Sequence, residues 1–279
     1  MIVCRYVMSV FTAVFLLCTG TAQAFEPLPE KSAYHVTQGG ILSLTLGKQA
    51  SGQSQIKAFD IDWPCRQKDD GVRCWIGVDL ATEPGLYTAS WQAGSATKKL
   101  QFNVEKGDFR ISRITVEKNM ATFDEASLKR LRADQQALKQ SYVRQVDGQP
   151  DLDLLLKPAE GVTSTPFGAQ RYVNGEARSP HSGVDIAAAE GTAVIAPLAG
   201  EVILAASMFL NGNTLVIGHG NGLVSVFSHL KQMDVKLGDY VRQGQVIAQI
   251  GQTGRATGPH LHWGLRFRQA RVDPYALTH

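Results

Sequence analysis

The sequence carries little net charge and no concentrated cationic segment. Its 28 Lys and Arg residues and 25 Asp and Glu residues leave a net charge of only +3 over 279 residues. A dedicated nucleic-acid-binding protein is disfavoured, because neutralising phosphates requires a dense patch of Lys and Arg. With 44% apolar residues, the composition also excludes disordered, collagenous and multi-span membrane chains. The length predicts two domains.

The amino-terminal apolar run is too short to span a bilayer. Tyr6–Cys18 contains 13 residues, which rise about 20 Å as a helix, whereas the hydrocarbon core is about 30 Å thick. Arg5 precedes this run and Ala22-Gln23-Ala24 follows it, which is the pattern of a secretory signal peptide with an A-x-A cleavage site. Residues 1–24 are therefore predicted to be a signal peptide, and the mature protein is expected to be exported without a stable membrane span.

Cysteine is scarce, with four residues in the chain. Cys4 and Cys18 lie in the predicted signal peptide, so Cys65 and Cys74 are the only pair expected in the mature protein. Two cysteines in an exported chain predict one disulfide. Asp70-Gly71 lies between them and signals a turn, so the bond would close a hairpin and stabilise it by about 2–3 kcal/mol. A zinc site here is disfavoured, because the segment has no further Cys or His nearby.

Short alternating apolar segments separated by turns predict a mainly β protein. From Phe25 to Gly107 they indicate a small N-terminal β-sandwich domain. Residues 108–155 contain a strand and then a linking helix, which is predicted to run from a capping box at Thr122–Glu125 to about Arg144. Strands and glycine-rich turns return in residues 156–279 and predict a C-terminal antiparallel β domain.

Several common functional motifs are absent. Residues 218–222 are rich in glycine but do not complete a G-x-G-x-x-G dinucleotide fingerprint. Residues 237–247 are similar to the hairpins of biotinyl and lipoyl carrier domains, but no lysine flanked by Met or Ala marks an acceptor. The chain also has no H-E-x-x-H helix. In a metal-dependent hydrolase of this sequence, the general base would therefore have to be a histidine.

Four histidines and one aspartate of the C-terminal domain are candidates for a metal-dependent site. His260 and His262 lie two residues apart on a predicted strand, so their side chains share one face, with α-carbons about 6.6 Å apart. His181 and Asp185 would be about 13 Å apart in an unbent strand. The chain is expected to bend between them at Gly183. Two imidazoles and one carboxylate would leave a fourth tetrahedral position open to water.

The pattern H-x(3)-D at His181–Asp185, followed by H-x-H at His260–His262, resembles the lysostaphin-type (LytM-like) zinc metallopeptidases, which hydrolyse peptidoglycan. The resemblance covers about residues 160–275. It implies one zinc ion per chain, held by His181, Asp185 and His262. It also implies that His229 and His260 are the catalytic pair, which orients and deprotonates water.

One position departs from the family pattern. Phe227 stands where many members have Tyr, so any contribution from that hydroxyl is absent. The remaining three histidines, His35, His219 and His279, are interpreted as structural.

The resemblance implies a zinc metalloendopeptidase that acts on the peptide crosslinks of bacterial peptidoglycan. A D-alanyl–diaminopimelate bond is preferred over a glycyl bond. One predicted disulfide and the absence of a wall-binding repeat are more typical of a periplasmic enzyme than of a secreted bacteriolysin. Residues 208–211 and 255–257 are expected to form the loops that select the peptide.

Two further hypotheses concern regulation and the absence of catalysis. The chain could be a non-catalytic, peptidoglycan-binding activator of another wall hydrolase, although degenerate family members of that kind lose metal ligands and this chain retains all three. The N-terminal domain and the helix at 122–144 could also lie over the groove and inhibit the enzyme intramolecularly.

Overall fold

The computed structural model describes residues 34–47, 55–93, 95–114 and 123–278. The predicted signal peptide, Cys4, Cys18, Thr122 and His279 lie outside the described residues. Within those ranges the protein is mainly β with a single α-helix, which confirms the predicted fold class. None of the described helices is long and apolar enough to cross a bilayer.

The N-terminal β domain is a seven-stranded sheet in the order β1-β7-β6-β3-β4-β5-β2. Its strands are β1 (His35–Thr37), β2 (Ile41–Leu46), β3 (Gln55–Ala58), β4 (Ile61–Lys68), β5 (Gly71–Gly77), β6 (Gly85–Ala93) and β7 (Ala96–Glu105). In β2, Leu42, Leu44 and Leu46 are buried and alternate with more exposed residues, because successive side chains of a strand point to opposite faces. This alternation of apolar and polar residues is the sequence pattern that predicts the strands.

β4 and β5 form the predicted disulfide-closed hairpin. Cys65 lies directly opposite Cys74 in the antiparallel pair, and a disulfide joins them. The predicted pairing is therefore confirmed.

A short connecting region lies between the two β domains. β8 (Ile111–Ile114) pairs in parallel with β10 (Gln170–Val173), and β11 (Glu176–Ala177) completes a three-stranded sheet. The helix α1 (Glu125–Tyr142) follows β8, and its N-cap is Asp124, whose side chain accepts a hydrogen bond from the Ser127 N–H. The helix is thus present as predicted, but its cap lies two residues after Thr122.

The C-terminal domain is built on a ten-stranded sheet whose described strand pairs are antiparallel, as predicted. The strands are β9 (Val162–Thr165), β12 (Gly183–Ala187), β13 (Ala193–Ile195), β14 (Gly200–Met208), β15 (Gly212–Gly220), β16 (Leu223–Met233), β17 (Tyr240–Val241), β18 (Val246–Ile250), β19 (His260–Phe267) and β20 (Ala270–Val272). The central strands run in the order β15-β16-β19-β12. This order brings the segments that carry the candidate site residues next to one another.

Both α1 and the N-terminal sheet pack against the C-terminal domain. Leu138 and Tyr142 of α1 contact a buried aliphatic cluster that includes Ile203. The guanidinium of Arg271, on β20, donates hydrogen bonds to both carboxylate oxygens of Asp79, just after β5. Residues Ser32–His279 form one compact unit, and the predicted domain boundaries at 107 and 155 stay predictions.

Candidate metal centre and catalytic histidines

The register of β12 and β19 places two candidate ligands side by side. Asp185 pairs directly with His262 in this antiparallel pair, and side chains opposite one another in such a pair lie on the same face of the sheet. Leu261 and Trp263 alternate with the histidines of β19 and are fully buried. The predicted parity of His260 and His262 is therefore confirmed.

The ring of His181 lies beside Asp185 and His262, although His181 belongs to the segment that precedes β12. Its backbone N–H donates to the Ala169 carbonyl, and its own carbonyl accepts from Gly168 N–H. Gly183 has a packing role in addition to the bend predicted between His181 and Asp185. It lies within β12 without a left-handed φ, and a Cβ added there would lie 2.5 Å from the Trp263 carbonyl oxygen and 2.9 Å from a ring carbon of His262. Glycine is required because the strands approach closely.

One potential ligand atom from each of His181, Asp185 and His262 converges on a common point. The His181 Nε2 atom lies 3.0 Å from Asp185 Oδ1 and 3.0 Å from His262 Nδ1. The distance from His262 Nδ1 to Asp185 Oδ1 is 2.9 Å. These separations are close to the ligand-to-ligand distance of about 3.3 Å in a tetrahedral site with bonds of about 2.0 Å.

The chemistry of these donors suits a zinc-type ion. Two imidazole nitrogens and one carboxylate oxygen make up the usual ligand set of an open, catalytic zinc site. The Nδ1–H group of His181 donates to the Pro166 carbonyl at 3.0 Å, which fixes the ring and directs Nε2 toward the other ligands. The three residues thus fit the metal that the sequence implies.

The charge states of Asp185 and His262 also favour a cation. Burial opposes ionisation of Asp185, but the hydrogen bonds from His181 and His262 outweigh it and hold the pKa of the carboxyl far below its usual range. Burial lowers the pKa of His262. Burial also acts to lower the pKa of His181, but the neighbouring Asp185 outweighs it and raises this pKa. An ionised Asp185 and a neutral His262 are the forms that bind metal ions.

His229 and His260 lie beside the three candidate ligands. Their ring centroids are 4.6 Å apart, and the ring of His229 is 6.4 Å from that of His262. The two rings are held in the same way, because each Nδ1 lies 2.9 Å from a backbone carbonyl, that of Thr253 for His229 and that of Gly258 for His260. Each Nδ1–H therefore donates to the backbone and leaves Nε2 as the basic atom.

The backbone at His229 is unusual for a strand residue. The φ angle is +64°, and the pairing of β15 with β16 shifts register here, from Leu215 opposite Phe227 to Asn213 opposite Leu230. Such a bulge turns a side chain away from the regular alternation of the strand. Burial lowers the pKa of His229, so the ring is neutral near pH 7 and able to accept a proton.

All five site residues named from the sequence are thus brought together, while their individual roles stay predictions. Other contacts that hold the site could not be found in the sequence. The carbonyls of Pro166, Thr253 and Gly258 orient the three rings, but a backbone carbonyl belongs to every residue type and leaves no signal in a sequence. Phe227 is buried opposite Trp263. Of the other histidines, His35 is exposed and His219 is buried with both ring nitrogens hydrogen-bonded.

Comparisons with known proteins agree with this geometry. The model of peptidase family M23 matches residues 179–274. A crystal structure from Pseudomonas aeruginosa, described as an M23 peptidase, is 32% identical with a TM-score of 0.69, and the alignment covers 86% of this chain and 94% of that one.

Two curated relatives match over a shorter region. The DD-carboxypeptidase/endopeptidase Mpg of Neisseria meningitidis is 36% identical over 115 residues, which cover 41% of this chain and 26% of Mpg. The peptidoglycan DD-endopeptidase ShyA of Vibrio cholerae is 42% identical over 95 residues, which cover 34% of this chain and 22% of ShyA. The matched region thus spans about a quarter of the length of these curated relatives.

Proposed function

This chain belongs to peptidase family M23, and on that premise we propose that it is a zinc-dependent endopeptidase that cleaves peptide crosslinks of bacterial peptidoglycan. The proposal rests on one observation, which is that two groups of side chains lie next to each other. His181, Asp185 and His262 present ligand atoms within 4.8 Å of one another, and His229 and His260 lie beside them with Nε2 free. The relatives include proteins named peptidoglycan DD-endopeptidases, and these names support this substrate class.

In the proposed mechanism, the three metal ligands have one role and His229 and His260 have another. Zinc, when bound, polarises the scissile carbonyl and lowers the pKa of water. His229 and His260 are anchored at Nδ1, so each can accept a proton from water at Nε2 and return it to the leaving amine. Their orientation is set before substrate binds, because both Nδ1–H groups already donate to backbone carbonyls. Asp185 stays ionised throughout, since its pKa is held far below neutrality.

The proposed target is the D-alanyl–diaminopimelate crosslink, and the proposed location is the periplasm. The DD-endopeptidase names of the relatives support the bond. The Cys65–Cys74 disulfide supports an oxidising compartment, since disulfides are rare in cytosolic proteins. The exposed Arg255 and the partly exposed Phe209 lie on the loops that we expect to select the peptide.

The decisive experiment is digestion of two kinds of purified sacculi. The protein should release crosslinked fragments from diaminopimelate-type sacculi, and mass spectrometry should show a cut D-alanyl bond. Cleavage of glycine-bridged sacculi instead would replace the bond and retain the enzyme class. If neither wall is cut while a free peptide is cut, the proposed wall substrate is wrong. A protein that binds sacculi but cuts neither wall nor peptide would favour the non-catalytic activator.

Inhibition by the N-terminal region stays a hypothesis, and the structure narrows how it could act. Among the described residues, the hydrogen bonds, ion pairs and ring contacts that orient the five site residues come from the C-terminal domain, and none comes from residues 34–155. If it occurs, inhibition would act through the loop at 208–211, where Phe123 contacts Phe209. Faster digestion by a chain that starts near Leu156 would support it, and equal rates would contradict it.

A further inference from the structure

Three groups from the region of α1 converge on one residue of the turn between β14 and β15. The Asp134 carboxylate accepts a hydrogen bond from the Phe209 backbone N–H at 2.7 Å. Phe123 meets the Phe209 ring edge-on, with centroids 5.7 Å apart. The Arg130 guanidinium lies 5.8 Å from the centroid of the same ring. Phe209 is therefore held at both its backbone and its side chain by residues 123–134.

The presence of aspartate at position 134 is not explained by helix formation. Asp has a lower helix propensity than Ala, because its short side chain competes for backbone hydrogen bonds. Asp134 lies in the interior of α1 and is only partly exposed. Its carboxylate accepts a hydrogen bond from Phe209, which is 75 positions away in the sequence. The hydrogen bond to Phe209 is therefore the feature that explains an aspartate at this position.

The turn that Asp134 holds is hydrogen-bonded to the backbone of His229. The Leu210 carbonyl accepts a hydrogen bond from Arg255 N–H at 2.8 Å. The next carbonyl, that of Asn211, accepts from His229 N–H, also at 2.8 Å. Because His229 has a φ of +64°, which is costly for a residue with a Cβ, its conformation depends on such external support.

The same turn also contacts the loop that orients the His229 ring. Gly212 has a φ of +64°, and a Cβ added there would lie 2.3 Å from the Thr253 side-chain oxygen. The Thr253 hydroxyl accepts a hydrogen bond from Asn213 N–H at 2.9 Å, and the Thr253 carbonyl accepts from Nδ1–H of His229. The turn at 209–213 therefore supports His229 twice, at its backbone and through Thr253 at its ring.

We propose that Asp134 is a positioning residue for His229, acting through the Phe209 N–H group and the turn at 209–213. The proposal rests on the proposed function, in which His229 handles the proton of the attacking water. In this view α1 supports catalysis by holding the turn that carries Phe209.

The test compares two variants of Asp134 with a matched control on the same helix. Asp134→Ala removes the acceptor while raising helix propensity, so loss of the helix would not explain a defect. Asp134→Asn keeps a neutral oxygen that can still accept from Phe209 N–H. Gln136→Ala is the control, because Gln136 is exposed on α1. Each protein is assayed as the full chain by hydrogen exchange of backbone amides and by kcat and KM on crosslinked peptidoglycan fragments.

We expect Asp134→Ala to speed amide exchange at Phe209 and His229 and to lower kcat by about tenfold, the scale expected when one charge-assisted hydrogen bond is lost. KM should change less than kcat, Asp134→Asn should be intermediate, and Gln136→Ala should match the wild type. Unchanged exchange at Phe209 and His229, or a rise in kcat, would overturn the proposal. If the wild-type protein cuts nothing, the proposed function fails, and the exchange measurement still decides whether Asp134 holds His229.

Discussion

Asp185 and His262 are direct partners across β12 and β19, and their side chains meet at 2.9 Å although 77 positions separate them in the sequence. A shift of one residue in this register would turn one of the two side chains to the opposite face of the sheet. The candidate metal centre thus depends on strand pairing as much as on residue type.

Removal of one ligand should abolish metal binding and activity together. In His181→Ala the remaining Asp185 and His262 supply only two protein ligands, which is fewer than the three of catalytic zinc sites. We expect less than about a tenth of the wild-type zinc content by elemental analysis, with no digestion of sacculi. His35→Ala serves as the control, since His35 is exposed and pairs with Glu105.

Chelator treatment of the wild-type protein should reproduce the defect of His181→Ala, and added zinc should restore the wild type only. Full activity in His181→Ala, or in chelated protein shown to contain no metal, would contradict the proposed metal centre.

Replacement of His229 should separate catalysis from metal binding. His229→Ala removes the proposed proton acceptor but none of the three proposed ligands, so we expect kcat to fall by about 10²–10⁴-fold while zinc content stays at the wild-type value. Activity on peptidoglycan fragments and elemental analysis of the same sample test this. A loss of zinc in His229→Ala would instead identify His229 as a ligand.

The buried His219 should make the protein less stable in mild acid. Its ring hydrogen-bonds the Ala199 carbonyl and the Ser225 hydroxyl, and burial lowers its pKa to about 4. Between about pH 6.5 and about pH 4 the unfolded chain binds a proton that the folded chain excludes, so the free energy of unfolding falls as pH falls. For this one group we expect a loss of about 2 kcal/mol between about pH 7 and about pH 5.

Urea unfolding of the wild type and of His219→Asn at these two pH values measures this contribution. The Asn side chain can still donate to Ala199 but does not titrate, so the variant should lose about 2 kcal/mol less than the wild type on acidification. Equal losses in the two proteins would show that His219 does not carry the effect.

Loss of the disulfide should affect stability more than activity. Cys65 and Cys74 close a loop with a sequence separation of 9, for which chain entropy predicts a decrease in unfolding free energy of about 2–3 kcal/mol. The double variant Cys65→Ala/Cys74→Ala should therefore unfold at lower urea concentration. Its kcat at room temperature should match the wild type, because both residues lie in the N-terminal sheet. Addition of a thiol reductant should destabilise the wild type alone.

Some features of the site could be predicted from the sequence because they depend on local periodicity. The two-residue spacing of His260 and His262 fixes a common face on any strand. The position of His229 relative to these residues is different. It depends on a bulge in β16 and on carbonyls from two distant loops, and neither leaves a residue pattern.

One local expectation required correction. Asp124 caps α1, whereas the capping box indicated Thr122. Gly183 has a role beyond the predicted bend, because it lies against the Trp263 carbonyl, where a Cβ would not fit. Such a close approach depends on the pairing of β12 with β19, which the local sequence does not show.

The carbonyls of Thr253 and Gly258, which orient the rings of His229 and His260, belong to a single short segment between β18 and β19. An insertion or deletion in this segment would displace the rings of His229 and His260 at once. Substrate preference should therefore be adjustable here by changing side chains such as Arg255 at constant loop length. Among engineered variants, we expect the protein not to tolerate changes in the length of this segment. We expect it to tolerate substitutions at the exposed positions of the segment.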